Sequence, residues 1–141
     1  MKTIDRECYV SLEVAKLLKE VGFDWEVQSY YSKLSRKQGK LLWLTCGCKY
    51  KENININQNR YSAPTLDVAQ RWLREVKGKE VEIEVFPDEL VGTTWGFHLY
   101  DLGACDSIVF QNPYTYSTFE EAQEAGIKKA LEIILEKGKK K

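Results

Sequence analysis

Residues 61–78 read YSAPTLDVAQRWLREVKG, and how this stretch is parsed settles the frame for everything around it. Pro64 favours an extended Ala63 before it, and the Thr65 hydroxyl suits the cap of a helix, where it accepts an amide hydrogen the first turn leaves unpartnered. Ala69, Trp72, Leu73 and Val76 then recur at i, i+3, i+4 and i+7, so they share one side of a helix that Gly78 ends. Arg71, Arg74 and Lys77 offer a cationic stripe of the kind that reads a partner. Asp67 and Glu75 stand four residues either side of Arg71, however, and such pairs meet on a helix surface and interrupt the stripe. The segment reads as a scaffold helix with Trp72 on its buried side.

The same pattern occurs twice more. Ser11 opens SLEVAKLLKEVGF, where Val14, Leu17, Leu18 and Val21 form the stripe, Gly22 supplies the left-handed residue after the last turn, and Phe23 folds back on that turn. Near the end, Ser117 or Thr118 caps FEEAQEAGIKKALEIILEKG, with Ile127, Ala130, Leu131 and Ile134 as the stripe. Glu120, Glu121 and Glu124 sit toward its positive end and Lys128, Lys129 and Lys137 later, as the helix dipole prefers.

Strand signals fill the intervals. A β-hairpin is expected with strands at about 25–31 and 41–48, a polar stretch from Ser32 to Lys40 between them, and Gln38-Gly39 at the turn. The Asn-rich KENININQNR, residues 51–60, reads as an exposed connection. In VEIEVF, Val81, Ile83 and Val85 alternate with Glu82 and Glu84, so one side of that strand meets water. TTWGFHLYDL places Trp95, Phe97 and Leu99 opposite Gly96, His98 and Tyr100, and SIVFQ is a third strand. The expected class is α+β, with antiparallel sheet structure and three amphipathic helices in the order α-β-β-α-β-β-β-α. A single domain over 1–141 is expected, with a subdivision into 1–52 and 61–137 joined by polar 53–60.

The 141 residues carry 21 basic and 21 acidic groups, unlike the strongly basic footprint of a dedicated nucleic-acid binder. Residues 1–64 hold 11 basic against 7 acidic groups and the remainder 10 against 14, so the first part is cationic and the second anionic. No apolar run approaches the roughly 20 residues of a membrane span, and residues 1–6 lack the apolar core of a secretory signal, which points to the cytoplasm. Four cysteines, Cys8, Cys46, Cys48 and Cys105, are expected as free thiols in a chain long enough to build its own core. The Cys46-Gly47-Cys48 pair lacks the spacing of a zinc knuckle, and no metal or cofactor is expected.

The one histidine, His98, lies in a strand, and no Ser–His–Asp or Cys–His set can be assembled around it from sequence; an enzyme would need it beside Asp101 or Asp106. No Gly-rich phosphate loop is present. Residues 27–51 contain Lys33, Arg36, Lys37, Lys40, Lys49 and Lys51 with no acid, interleaved with Tyr30, Tyr31, Trp43 and Tyr50. Such a ribbon can follow a phosphate backbone and stack bases, so Lys33, Arg36, Lys37, Lys40, Tyr30 and Tyr31 are the candidate binding residues. The alternative is a solvated hairpin tip over aromatics that belong to the core.

The stretches CYVSLEVAKLLKEVGFDW, YSAPTLDVAQRWLREV and YSTFEEAQEAGIKKAL resemble small uncharacterised proteins encoded by phages and mobile elements of gut bacteria. The resemblance spans most of the chain, rests on helix faces and caps rather than on chemistry, and implies no particular activity. The α-β-β-β-α order from Thr65 to Glu136 is also similar to that of a double-stranded-RNA-binding domain. Glu120-Glu121 stands where that module needs cations, so the charge has the wrong sign. SLEVAKLLKE resembles the first helix of excisionase-like proteins, but the strand-like FDWEVQSYY follows where a recognition helix belongs. The expectation is a non-enzymatic accessory protein that binds another protein or a second copy of itself through an open strand edge. Nucleic-acid binding through hairpin 32–40 is the alternative.

Overall fold

The computed structural model describes residues 8–36, 39–44, 51–103, 106–111 and 115–139, with backbone alone for 106–111 and 139. Its elements are helix α1 (Leu12–Glu20), strands β1 (Ser29–Ser32) and β2 (Leu42–Trp43), a 3-10 turn (Ile54–Ile56), strand β3 (Arg60–Ser62), helix α2 (Leu66–Lys77), strands β4 (Lys79–Phe86), β5 (Thr94–Asp101) and β6 (Asp106–Gln111), and helix α3 (Phe119–Lys139). The class is α+β with antiparallel sheets, as the periodicities imply. Two compact units divide the chain, Met1–Val68 and Ala69–Lys141, and the division falls in the first turn of α2.

Helix starts follow the hydroxyls. Ser11 Oγ accepts from the Val14 amide at 3.3 Å, Thr65 Oγ1 from Val68 at 3.2 Å and Thr118 Oγ1 from Glu121 at 3.1 Å, each satisfying an amide that has no partner within the helix. The Glu121 carboxylate in turn accepts from the Ser117 and Thr118 hydroxyls, and these bonds, that from Ser117 first, hold its pKa below the ordinary value. Gly22, at φ +94°, turns the chain after α1 so that the Phe23 amide reaches back to Leu18 O at 2.9 Å and the Phe23 ring is buried.

In the first unit the sheet order is β2-β1-β3. β3 is an addition to the expected strands: three residues are too few to show a period of two in sequence. It pairs with β1 through Tyr30↔Ser62, Tyr31↔Tyr61 and Ser32↔Arg60. The expected hairpin is present, shortened, with Ser29↔Trp43 and Tyr30↔Leu42 in register; residues 45–48 of its second strand lie outside the described residues. The segment 51–60 is not simply an exposed connection. Ile54 is buried, and the Asn55 side chain donates to Phe23 O at 2.9 Å and accepts from the Ser62 amide at 2.8 Å, tying three segments together. Val10, Val14, Ala15, Leu18, Phe23 and Ile54 form the core of this unit.

The second sheet, β4-β5-β6, is longer and regular. β4 and β5 pair over eight residues from Lys79↔Asp101 to Phe86↔Thr94. This register aligns Val81, Ile83 and Val85 with Leu99, Phe97 and Trp95 on one face, and Glu80, Glu82 and Glu84 with Tyr100, His98 and Gly96 on the other. Helix α3 covers the apolar face with Ala122, Ile127, Ala130 and Leu131 buried. Its closest approach needs Gly126: a Cβ there would lie 2.5 Å from Val81 Cγ1 and 3.1 Å from Phe97 Cγ. Buried Gln123 donates to Gln70 Oε1 at 2.8 Å, and Gln70 donates to Val81 O at 2.6 Å, linking α3, α2 and the outer edge of β4. Of the stripe on α2, Ala69, Trp72 and Leu73 are buried, Trp72 to 1% exposure, whereas Val76 is half exposed.

Candidate functional site

The reading of α2 as scaffold survives inspection of its charges. Arg71 Nε lies 2.7 Å from Glu75 Oε2, Arg74 Nε 3.0 Å from Glu80 Oε2, and Lys77 Nζ 5.7 Å from the Trp72 ring centre. All three cations are engaged within the fold, and the bond to Glu75 raises the Arg71 pKa.

The cationic surface gathers on the first unit, displaced from where the sequence places it. Tyr61 on β3 is surrounded by Lys16 Nζ at 5.9 Å, Lys19 Nζ at 5.3 Å and Lys33 Nζ at 5.3 Å from its ring centre, distances at which an ammonium is drawn to an aromatic face. Lys19 also donates to Asn57 O at 2.7 Å and Arg60 O at 2.8 Å. Burial, and then the charge of Lys33, lower its pKa from the ordinary 10.5. Arg60 stacks 4.4 Å above the Tyr30 ring. Of the sequence candidates, Lys33 and Tyr30 therefore belong to this cluster. Arg36 and Lys40 are exposed on the hairpin, and Lys37 lies outside the described residues. Tyr31 is corrected to a core residue: it is buried and its hydroxyl donates to Val10 O at 2.6 Å. Lys16, Lys19, Arg60 and Tyr61 were missed, since only the pairing of β1 with β3 brings them to the hairpin. Alternation gave no clue.

On the second unit, the face of β4 and β5 opposite the apolar one gathers exposed Glu82 with half-buried Glu84 and His98. His98 Nδ1 contacts Glu84 Oε1, and potential ligand atoms of all three side chains lie within 4.8 Å of one another. The Tyr100 hydroxyl donates to Glu82 Oε1 at 3.2 Å. Desolvation, and then Glu82 and Glu84, raise the phenol's pKa, so it remains a donor at neutral pH. Asp101, one acid that an enzymatic reading would pair with His98, instead holds Lys79 at 3.1 Å. The strict alternation of β4 located the glutamates on one face, but their meeting with His98 depends on a register that sequence alone leaves open.

The tip between β4 and β5 is apolar. Val85 and Phe86 are about half exposed, Leu90 is 95% and Val91 75% exposed. Asp88 orders this turn: its carboxylate accepts from the Leu90 amide at 2.7 Å and the Val91 amide at 3.1 Å, while the Gly92 amide, at φ +86°, bonds Asp88 O at 2.9 Å. A cavity of about 220 Å³ in the first unit is lined by Tyr9, Val27, Ser29 and Pro64 among others, with Glu26 and Lys51 as its charged groups. Cys8 is an exposed thiol; Cys46, Cys48 and Cys105 lie outside the described residues. Among the described residues no helix is long and apolar enough to cross a membrane. No family model matches the chain, and neither a curated protein nor a solved structure matches it.

Proposed function

We propose that the chain is a cytoplasmic, non-enzymatic accessory protein of phage or mobile-element type that acts by binding another protein through the β4–β5 hairpin tip. The observation that carries this reading is the exposure of Leu90 and Val91 beside Phe86 and Val85 on a turn already ordered by Asp88. Apolar side chains clustered in water mark contact surfaces, and an ordered turn loses little freedom when a partner closes over it. The exposed thiol of Cys8 accords with a reducing compartment.

The adjoining edge of β4 favours a different chain over a second copy. Antiparallel pairing of β4 with itself sets Glu82 against Glu82 or Glu84 of the other copy, and like charges directly opposite destabilise a strand pair. Capture from a lysate of the source organism tests the proposal with wild type and Phe86→Asp/Leu90→Asp side by side. A protein held by the wild type and lost by the folded variant supports it; identical captured sets overturn it.

A second reading, nucleic-acid binding, is favoured by one observation: the basic hairpin is extended by Lys16, Lys19 and Arg60 around Tyr61 and Tyr30. It requires binding of a single-stranded oligonucleotide that weakens steeply with salt and is lost in Lys16→Gln/Lys19→Gln/Lys33→Gln. Absence of binding at low salt removes it.

A further inference from the structure

We propose that Glu82, Glu84 and His98 form a binding site for a borderline divalent cation, with Zn2+ as the ion it fits best. Glu82 and His98 stand directly opposite in the β4–β5 ladder, Glu84 stands opposite Gly96, and His98 Nδ1 contacts Glu84 Oε1. The three donors are already within 4.8 Å of one another. A tetrahedral ion with bonds of about 2.0 Å needs donors about 3.3 Å apart, which side-chain rotation supplies without moving either strand.

The donor chemistry selects the ion class. Two carboxylates and one imidazole suit Zn2+ and its transition-metal neighbours, whereas Mg2+ prefers an all-oxygen octahedron that keeps its waters. Three protein ligands leave one tetrahedral position for water or for a partner's side chain. Tyr100, donating to Glu82 at 3.2 Å, orients one ligand from behind, as outer partners of metal ligands commonly do. Bound metal joins side chains of both strands and so clamps β4 to β5. The site stands apart from the apolar tip proposed for protein binding, and either reading can fail without the other.

The test exploits the single histidine of the chain, whose ring protons give one isolated set of resonances in a proton NMR spectrum. Zn2+ added to the full chain at neutral pH is expected to shift that imidazole and to saturate at one equivalent, with Mg2+ at the same concentration leaving it unmoved. Glu82→Gln/Glu84→Gln, which keeps both side-chain shapes, is expected to weaken Zn2+ at this imidazole by at least about tenfold. Cysteine-bound zinc would leave the His98 signal in place, so the readout separates the two kinds of site. An unmoved imidazole at one equivalent, equal response to Mg2+, or unchanged affinity in the double variant would each overturn the proposal.

Discussion

The two sheets obey one pairing rule and use it differently. Among the described residues of the first unit no strand pair runs beyond three residues, and side chains do much of the fastening: Asn55 bridges Phe23 and Ser62, Ser29 donates to Ala63 O at 2.6 Å, and Tyr31 reaches Val10 O. In the second, β4 and β5 pair over eight residues, so the backbone ladder fixes the geometry and the outward side chains are released for other uses. The first surface collects lysines about a tyrosine, the second carboxylates about a histidine. Short strands spend their polar groups on holding the fold; long ones leave a face available for chemistry.

The contrast is broken most severely through the core under the long sheet. Phe97→Ala is expected to cost about 3–5 kcal/mol, because the ring lies buried between the sheet and α3. Chemical denaturation followed by circular dichroism measures it. Gly126→Ala is expected to cost about 1–3 kcal/mol in the same experiment, since the added methyl overlaps Val81 and the helix must move away from the sheet.

A milder change sharpens the difference in fastening. Asn55→Ala removes both bridging bonds of the short sheet and is expected to cost about 1–3 kcal/mol, while Glu82→Gln on the long sheet is expected to stay within about 0.5 kcal/mol. Equal losses in the two variants would mean that the ladder of β4 and β5 depends on its side chains after all.

How far these features were legible from sequence depends on the range of the interaction that makes them. Ser11, Thr65 and Thr118 act on amides three residues away, so the caps can be read directly, as can the 3.6-residue stripe that buries Trp72. The two-residue alternation of 81–86 and 95–100 likewise foretells which faces are apolar. Register is a different matter: Glu82 sits opposite His98, and a slip of two residues preserves every face while bringing Glu80 or Glu84 there instead. Tyr31 and Ile54 resisted for a related reason. Tyr31 is held by Val10, and the segment of Ile54 by the bond of Asn55 to Phe23 O, contacts with distant parts of the chain that leave no local mark.

The smallest effects concern protons. Glu121 has its pKa depressed by the Ser117 and Thr118 hydroxyls, so it binds its proton less readily folded than unfolded; its contribution to stability is present at neutral pH and lost as pH falls through the depressed value. The stability difference between wild type and Glu121→Gln is therefore expected to shrink as pH falls through and below the ordinary glutamate range, measured by thermal melts across the acid range. Lys19 titrates below 10.5 mainly because it is partly buried and then because Lys33 is near; in Lys33→Gln its pKa is expected to rise without returning fully to the ordinary value, as followed by NMR at the side chain.

That the two sheets carry surfaces of opposite charge can be measured directly with soluble paramagnetic probes of opposite sign, by comparing how strongly each relaxes assigned protons of the intact chain. The anionic probe is expected to act more strongly around Lys16, Lys19, Lys33 and Tyr61, and the cationic probe around Glu82, Glu84, His98 and Tyr100. Equal relaxation by both probes at the two sites, or the reverse preference, would contradict it.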